Sequence, residues 1–301
     1  MNLETMNGLL LINKDSGCTS HDVVKDVRRI LYSPSVGHCG TLDPLASGLM
    51  VLLVGKATRL SKYILEEDKG YKVRVQFGLT TDSQDITGKV ITRKEVSWIQ
   101  SGLQMDENPA LKAFGSELES LVLSQMVGEL ELPVPAYSAV KINGKKLYQY
   151  ARAEQAIELP LRKMRFYDVH MDGLGCTGSG LWADFHLKCS KGSFIRAWVH
   201  ELGHKIGYGG VVSRLCRTWS SPYSLQDSVS VGQLRDWIKS GKDLLDLPSF
   251  TAMSYMLPEW PVYQAHVQDI ELISNGQLPH RVGRELLATH KVEFPPDEKN
   301  L

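Results

Sequence analysis

Gly37-His38-Cys39-Gly40-Thr41-Leu42-Asp43-Pro44-Leu45-Ala46-Ser47-Gly48 holds three glycines and one proline in twelve residues, the composition of a loop. Pro44 pushes Asp43 toward an extended backbone, and the flanking glycines allow a tight path that presents one carboxylate rigidly at a cleft. Such a carboxylate can serve as a nucleophile or a base, and a nearby cation such as an arginine would keep it ionised in a pocket closed to water. An isolated Asp-Pro, by contrast, commonly does no more than cap a turn.

Regular elements are predicted on both sides of this loop. Upstream, Gly8 to Lys14 reads as a buried strand, and Thr19-Ser20-His21-Asp22 resembles a helix start, followed by Val23, Val24, Val27, Ile30 and Leu31 at helical spacing. Downstream, the apolar run Leu49 to Val54 suits a buried strand. Tyr71 to Phe77 alternates, with Tyr71, Val73, Val75 and Phe77 on one face and Lys72, Arg74 and Gln76 on the other, as in a half-buried strand. Asn108-Pro109 opens a second helix, Asn suiting the cap and Pro the first helical position. Alternation returns over Ala183 to Cys189, Val199, Leu202 and Ile206 indicate a helix after Arg196, and Val229 to Leu245 can hold another. Strands and helices mix without a regular βαβ rhythm, which favours an α+β domain. Near Ser249 to Pro261 the texture changes to proline and scattered aromatics. That change marks a boundary between residues 1–250 and a module over 258–301.

Composition narrows the class. The chain has 301 residues, 43% of them apolar and 23% charged, ordinary for a globular protein. No stretch approaches the ~18 consecutive apolar residues of a membrane helix. Leu9-Leu10-Leu11-Ile12 lacks the basic flank and cleavage site of a secretory signal, so a cytoplasmic location is expected. Five cysteines without a C-x-x-C pair suggest reduced thiols rather than a disulfide framework or zinc ribbon. Net charge is zero, yet seven Lys/Arg face two Glu between Ser138 and Arg165, and six face one Glu between Lys188 and Arg217. These segments permit a basic face for nucleic acid in a neutral chain.

The loop has specific company. Gly37 to Gly48 matches the G-H-x-G-x-L-D-P-x-A-x-G pattern of the TruB family of tRNA pseudouridine(55) synthases. Tyr71 and Gly78 with Thr81-Asp82-Ser83-Gln84-Asp85-Ile86-Thr87-Gly88 resemble its Y…G-x-x-T-D-T-x-D-x-x-G segment. Pro135-Ala136-Tyr137-Ser138-Ala139-Val140-Lys141 with Gly144, Tyr148, Ala151 and Arg152 is similar to P-x-Y-S-A-x-K…G…Y…A-R, and Cys189-Ser190-Lys191-Gly192-Ser193-Phe194-Ile195-Arg196 to C-S-K-G-T-Y-I-R. The four ordered motifs span about Gly8 to Tyr223.

The resemblance implies a mixed, largely antiparallel sheet flanked by helices, the pseudouridine synthase fold, acting on the T-arm of tRNA as a monomer. No cofactor or metal is implied. Asp43 would be the nucleophile, Arg196 its ionic partner, and Tyr71 a ring stacked on the uracil that also takes part in proton transfer. His38 would pack into the T-loop, Asp85 would help hold the flipped nucleotide, and Lys14, Lys141 and Lys191 would contact RNA or the pocket. The chain departs from the family pattern at Lys14-Asp15, Val134-Pro135, Glu154 and Cys216. Residues 258–301 are shorter than the family's accessory RNA-binding domain, whose opening Ile273-Ser274-Asn275-Gly276-Gln277 resembles. An abbreviated C-terminal module is therefore expected.

Two readings from other classes compete. His200-Glu201-Leu202-Gly203-His204 fits H-E-x-x-H, the zinc-protease helix, but the third histidine of the longer pattern would fall on Gly210. In the synthase reading it is an unremarkable surface pair. A non-catalytic tRNA-binding or tRNA-folding protein shares every basic segment with an enzyme, and only Asp43 with Arg196 separates the two.

Overall fold

The structure is a computed structural model that describes residues 6–64, 67–96, 108–178, 180–256 and 265–282. In chain order the strands are β1 (Gly8–Lys14), β2 (Val36–His38), β3 (Ser47–Val54), β4 (Lys69–Phe77), β5 (Leu79–Thr81), β6 (Val90–Arg93), β7 (Gly128–Pro133), β8 (Lys141–Ile142), β9 (Lys145–Lys146), β10 (Leu161–Thr177), β11 (Gly180–Cys189), β12 (Gly210–Ser220), β13 (Tyr223–Ser224), β14 (Val229–Ser230) and β15 (Phe250–Ala252). The helices are α1 (Ser20–Leu31), α2 (Ser61–Ile64), α3 (Pro109–Gln125), α4 (Leu147–Arg152), α5 (Ile195–Lys205), α6 (Val231–Lys239) and α7 (Val267–Ser274).

One sheet organises the fold, in the order β14-β1-β3-β12-β4-β11-β10-β7. The β1–β14 and β12–β3 pairs are parallel, and the other pairs along this path are antiparallel. The α+β class with a mixed, largely antiparallel sheet flanked by helices is therefore what the chain adopts. The inner face of β11 carries Leu181, Ala183, Phe185, Leu187 and Cys189, all buried, and the residues between them are half-exposed. Trp198 of α5 closes this core edge-on to Phe185, ring centroids 5.5 Å apart, and its indole N–H donates to Met126 O at 2.9 Å.

Local chemistry explains the helix starts. Thr19 and Asp22 form a reciprocal capping box at α1, and Asn108 caps α3 with Pro109 in its first turn. Three features depart from expectation. Gly37 and His38 do not stay in the loop but pair as an edge strand with Leu53 and Leu52. Gln76, on the polar face of its strand, is buried and donates to Leu181 O. The seventeen-residue strand β10 was not anticipated, because bulges at Tyr167/His170 and Met171/Gly173 break its alternation.

Contacts divide the chain into two compact units, Met1–Thr251 and Ala252–Leu301. Of the module expected over 258–301, only 265–282 lie within the described residues. There Ile273 and Ser274 end α7, and Arg281 pairs with buried Asp269 at 2.5 Å.

Candidate active site

The Asp43 loop is held at Leu42, Pro44 and Leu45 by the turn between β1 and α1 and by the first residue of α1. Ser20, buried at the start of α1, both donates to Leu42 O and accepts from Leu42 N, at 2.9 and 2.8 Å. Gly17 N donates to Pro44 O at 2.8 Å, and Ser16 Oγ to Leu45 O at 2.7 Å. Asp43 O also accepts from Ala46 N at 3.0 Å, so the Asp-Pro does close a turn, while its side chain is left for other work.

Beneath the loop lies Arg217 of β12, 1% exposed, donating to Leu49 O at 2.7 Å and Gly40 O at 3.2 Å. Its backbone pairs with Gly48 of β3 on one side and Tyr71 of β4 on the other. Gly48 has φ +102°, and a Cβ there would stand 2.3 Å from Arg217 O, so glycine is what lets β12 join β3 beside the loop. One row of the sheet thus carries Tyr71 next to a loop some thirty residues upstream.

Arg196 arrives in the first turn of α5 and is 5% exposed. It meets Asp43 with two prongs, Nε to Oδ2 at 2.9 Å and Nη2 to Oδ1 at 3.1 Å. Its remaining donors reach Ser83 O at 3.0 Å and Tyr137 O at 2.9 Å. One planar fork therefore ties three loops together and aims the carboxylate. Tyr137 Oη donates to Asp82 Oδ2 at 3.1 Å, a second tie between two of those loops.

Asp43, Arg196, Tyr71, His38, Asp85 and Tyr137 all line one cleft of about 1000 Å³. That is the upper end of the ~300–1,000 Å³ range of ligand sites. Burial pushes the Tyr71 hydroxyl up to about 12, against the opposing pull of Arg217, so it holds its proton at neutral pH. Asp85 is 6% exposed, and its Oδ1 accepts from Ser83 Oγ, Thr87 N and Thr87 Oγ1 at 2.9, 2.9 and 2.6 Å. It shapes the 81–88 loop as well as walling the cleft.

The lysines behave differently. Lys14 is 0% exposed and spends its ammonium on Asp15 O, Cys18 O and Pro44 O, which places it behind the loop rather than in the cleft. Burial lowers its pKa. Lys141 and Lys191 are exposed and are not among the residues that line the cleft, whose cations besides Arg196 are Lys89, Lys146 and Arg152. Arg152 and Lys146 both lie over the Tyr148 ring, 5.3 and 5.7 Å from its centroid. Not every cation of the two basic segments is free for a partner. Arg196 and Arg217 are buried, and Lys163, Lys188 and Lys205 are paired with Glu129, Asp168 and Glu201. Tyr137, Asp82, Ser20 and Arg217 were missed as site residues. Tyr137 and Asp82 stood in quoted motifs, Ser20 in the first helix start and Arg217 at the end of a basic segment, yet nothing in their spacing reveals a contact.

Residues 28–195 match the family described as TruB family pseudouridylate synthase (N terminal domain). The chain belongs to that family. This TruB-family chain is 43% identical over 296 residues to a tRNA pseudouridine synthase B of Bdellovibrio bacteriovorus, covering 98% of this chain and 88% of the relative. It is 35% identical over 276 residues to one of Geobacillus kaustophilus, covering 91% and 90%. Its fold is similar to that in the crystal structure of a Cbf5-Nop10-Gar1 complex, with a TM-score of 0.60 at 22% identity over 87% of this chain and 64% of that one. No helix among the described residues is long and apolar enough to cross a membrane.

Histidines outside the chemistry bear on stability. His200 and His204 gather no third His, Cys, Asp or Glu among the described residues that could complete a metal site with them. His204 is exposed and His200 half-buried, with its Nδ1 buried without a hydrogen-bond partner. His38 Nδ1 is buried without one as well. Both imidazoles titrate below the usual value, chiefly through burial, with repulsion from Arg217 and His21 adding at His38 and from His204 at His200. Below about pH 6.5 the unfolded chain takes up protons that the folded chain refuses, so stability present above that pH is lost as the pH falls. The melting temperature should therefore drop between about pH 7.5 and 5.5, and less so in His38→Gln. A wild-type melting temperature flat across this window would contradict the assignment.

Proposed function

We propose that this chain isomerises uridine 55 in the T-loop of tRNA to pseudouridine in the cytoplasm, acting as a monomer with Asp43 as the nucleophile. The single observation that carries this reading is the two-pronged Arg196–Asp43 pair at the floor of a cleft able to take an extruded nucleotide. The names of the relatives supply the substrate class.

The chemistry breaks the C1′–N1 bond, turns the uracil and joins C1′ to C5. The C5 proton leaves at the end. Nothing is oxidised and no water is added, so the protein's own groups suffice. Whether Asp43 attacks C1′, adds to C6 or takes a ribose proton, each route needs an ionised carboxylate held against the sugar–base junction. Extruding the base costs a few kcal/mol, and stacking on the Tyr71 ring recovers ~1–3 kcal/mol. Incubation with unmodified tRNA tritiated at C5 of uridine tests the reading. Release of one tritium per tRNA supports it, and a chain that binds the tRNA yet releases none is a binding protein.

Tyr71 separates two contributions. Tyr71→Phe keeps the ring but removes the proton, so tRNA affinity and folding should hold while the single-turnover rate drops. Tyr71→Leu should also lose the ~1–3 kcal/mol of stacking. A purely structural Tyr71 would behave otherwise, with Phe silent and Leu lowering the melting temperature.

A further inference from the structure

A second concavity, of about 420 Å³, is lined by Arg74, Gln76, Arg93, Trp182 and Arg214 among others. On β4 and β12 the cleft takes Tyr71 and Leu215 while this pocket takes Arg74, Gln76 and Arg214. Because successive side chains of a strand point to opposite faces, the pocket opens on the other side of the sheet. The chemistry described above makes no use of it.

Its wall is built in advance. Arg74 lies 3.9 Å over the Trp182 ring and donates to both oxygens of Asp184, from Nε at 2.7 Å and Nη2 at 2.6 Å. The indole rests against Gly173 and Gly175 of β10, where a Cβ on Gly175 would fall 2.7 Å from the ring. Asp184 is thus spent on Arg74, whereas Arg93 and Arg214 are exposed and have no carboxylate partner among the described residues. The rest of the lining includes the apolar side chains Leu79, Ile86 and Val90, the last two 43% and 39% exposed. Uncommitted guanidiniums favour phosphate, and a guanidinium–indole stack beside apolar side chains favours a planar base.

We propose that this pocket binds a nucleotide, with Arg93 and Arg214 holding the phosphate and the Arg74–Trp182 wall with Ile86 and Val90 flanking the base. Occupancy bears on the cleft through one short segment, since Ile86 and Val90 line the pocket while Asp85, Thr87, Gly88 and Lys89 line the cleft. Ser83, whose carbonyl anchors Arg196, stands two residues before that segment.

The test needs no turnover. The full chain is titrated with UMP, AMP and inorganic phosphate, followed by tryptophan fluorescence and calorimetry. Saturable mononucleotide binding, tighter than phosphate alone, is expected. It should weaken by at least about tenfold in Arg93→Gln/Arg214→Gln, while Asp43→Asn leaves it unchanged. Trp182→Phe should abolish the fluorescence change. Both arginines are exposed, and a melting curve checks the double variant; should it melt early, Arg214→Gln alone must still weaken binding. Displacement by tRNA would identify the occupant as part of the RNA strand, and simultaneous binding would identify a free nucleotide. Absence of saturation, indifference to the arginine substitutions, or loss of binding in Asp43→Asn would overturn the proposal.

Discussion

Asp43→Asn should lower turnover on unmodified tRNA by roughly 10⁴-fold or more, the order seen when a member of a catalytic unit is removed, with tRNA affinity changed only a few-fold. The amide keeps the shape of the carboxylate, and its oxygen can still accept one Arg196 prong. At the other position an NH₂ would meet the Nε–H that now donates to Oδ2 at 2.9 Å. The variant therefore loses the negative charge, the nucleophilic oxygen and half of the fork in one step, without touching the loop peptides held by Ser16, Gly17 and Ser20. Single-turnover tritium release and filter binding measure the two quantities separately. Near-wild-type release would end the assignment of Asp43.

Arg196→Lys should cost about 10²–10³-fold in rate, comparable to deleting an electrostatic donor from a preorganised site. The charge survives, but one ammonium cannot reach both Asp43 oxygens, Ser83 O and Tyr137 O as the planar fork does. Carbonyls that lose a donor in a buried setting add an expected stability loss of about 1–3 kcal/mol. Arg196→Met removes the charge too and should be more destabilised. Its cost sits at or below the low end of the ~3–5 kcal/mol for breaking a buried pair, because the Asp43 side chain is 35% exposed and water screens it. Rate and melting temperature measured on both variants decide the matter. A fully active Arg196→Lys enzyme would show that the carboxylate is aimed by the loop alone.

Lys14 and the 161–177 segment show where reading the chain stops. The resemblance implies an RNA or pocket contact for Lys14, whereas in the fold its side chain is fully buried and its ammonium donates to the carbonyls of Asp15, Cys18 and Pro44. The pattern over 161–177 hides a strand because two bulges change which side faces the core. Gly37 and His38 have a loop's composition and still pair with Leu53 and Leu52, since an open edge of β3 was available.

What the sequence determined by itself is what near neighbours decide. The capping box of Thr19 and Asp22, the Asn108-Pro109 helix start, the alternation through β11 and the Gly- and Pro-bounded loop that presents a carboxylate all depend on residues a few positions apart. The motif match added the family. Only the tertiary structure decided which residues share the site. Asp43 and Arg196 are 153 residues apart, Arg217 lies between Gly48 and Tyr71 by strand register, and Tyr137 meets Asp82 across 55 residues. Such contacts are set by sheet order and register, quantities that long-range pairing fixes and no local pattern encodes.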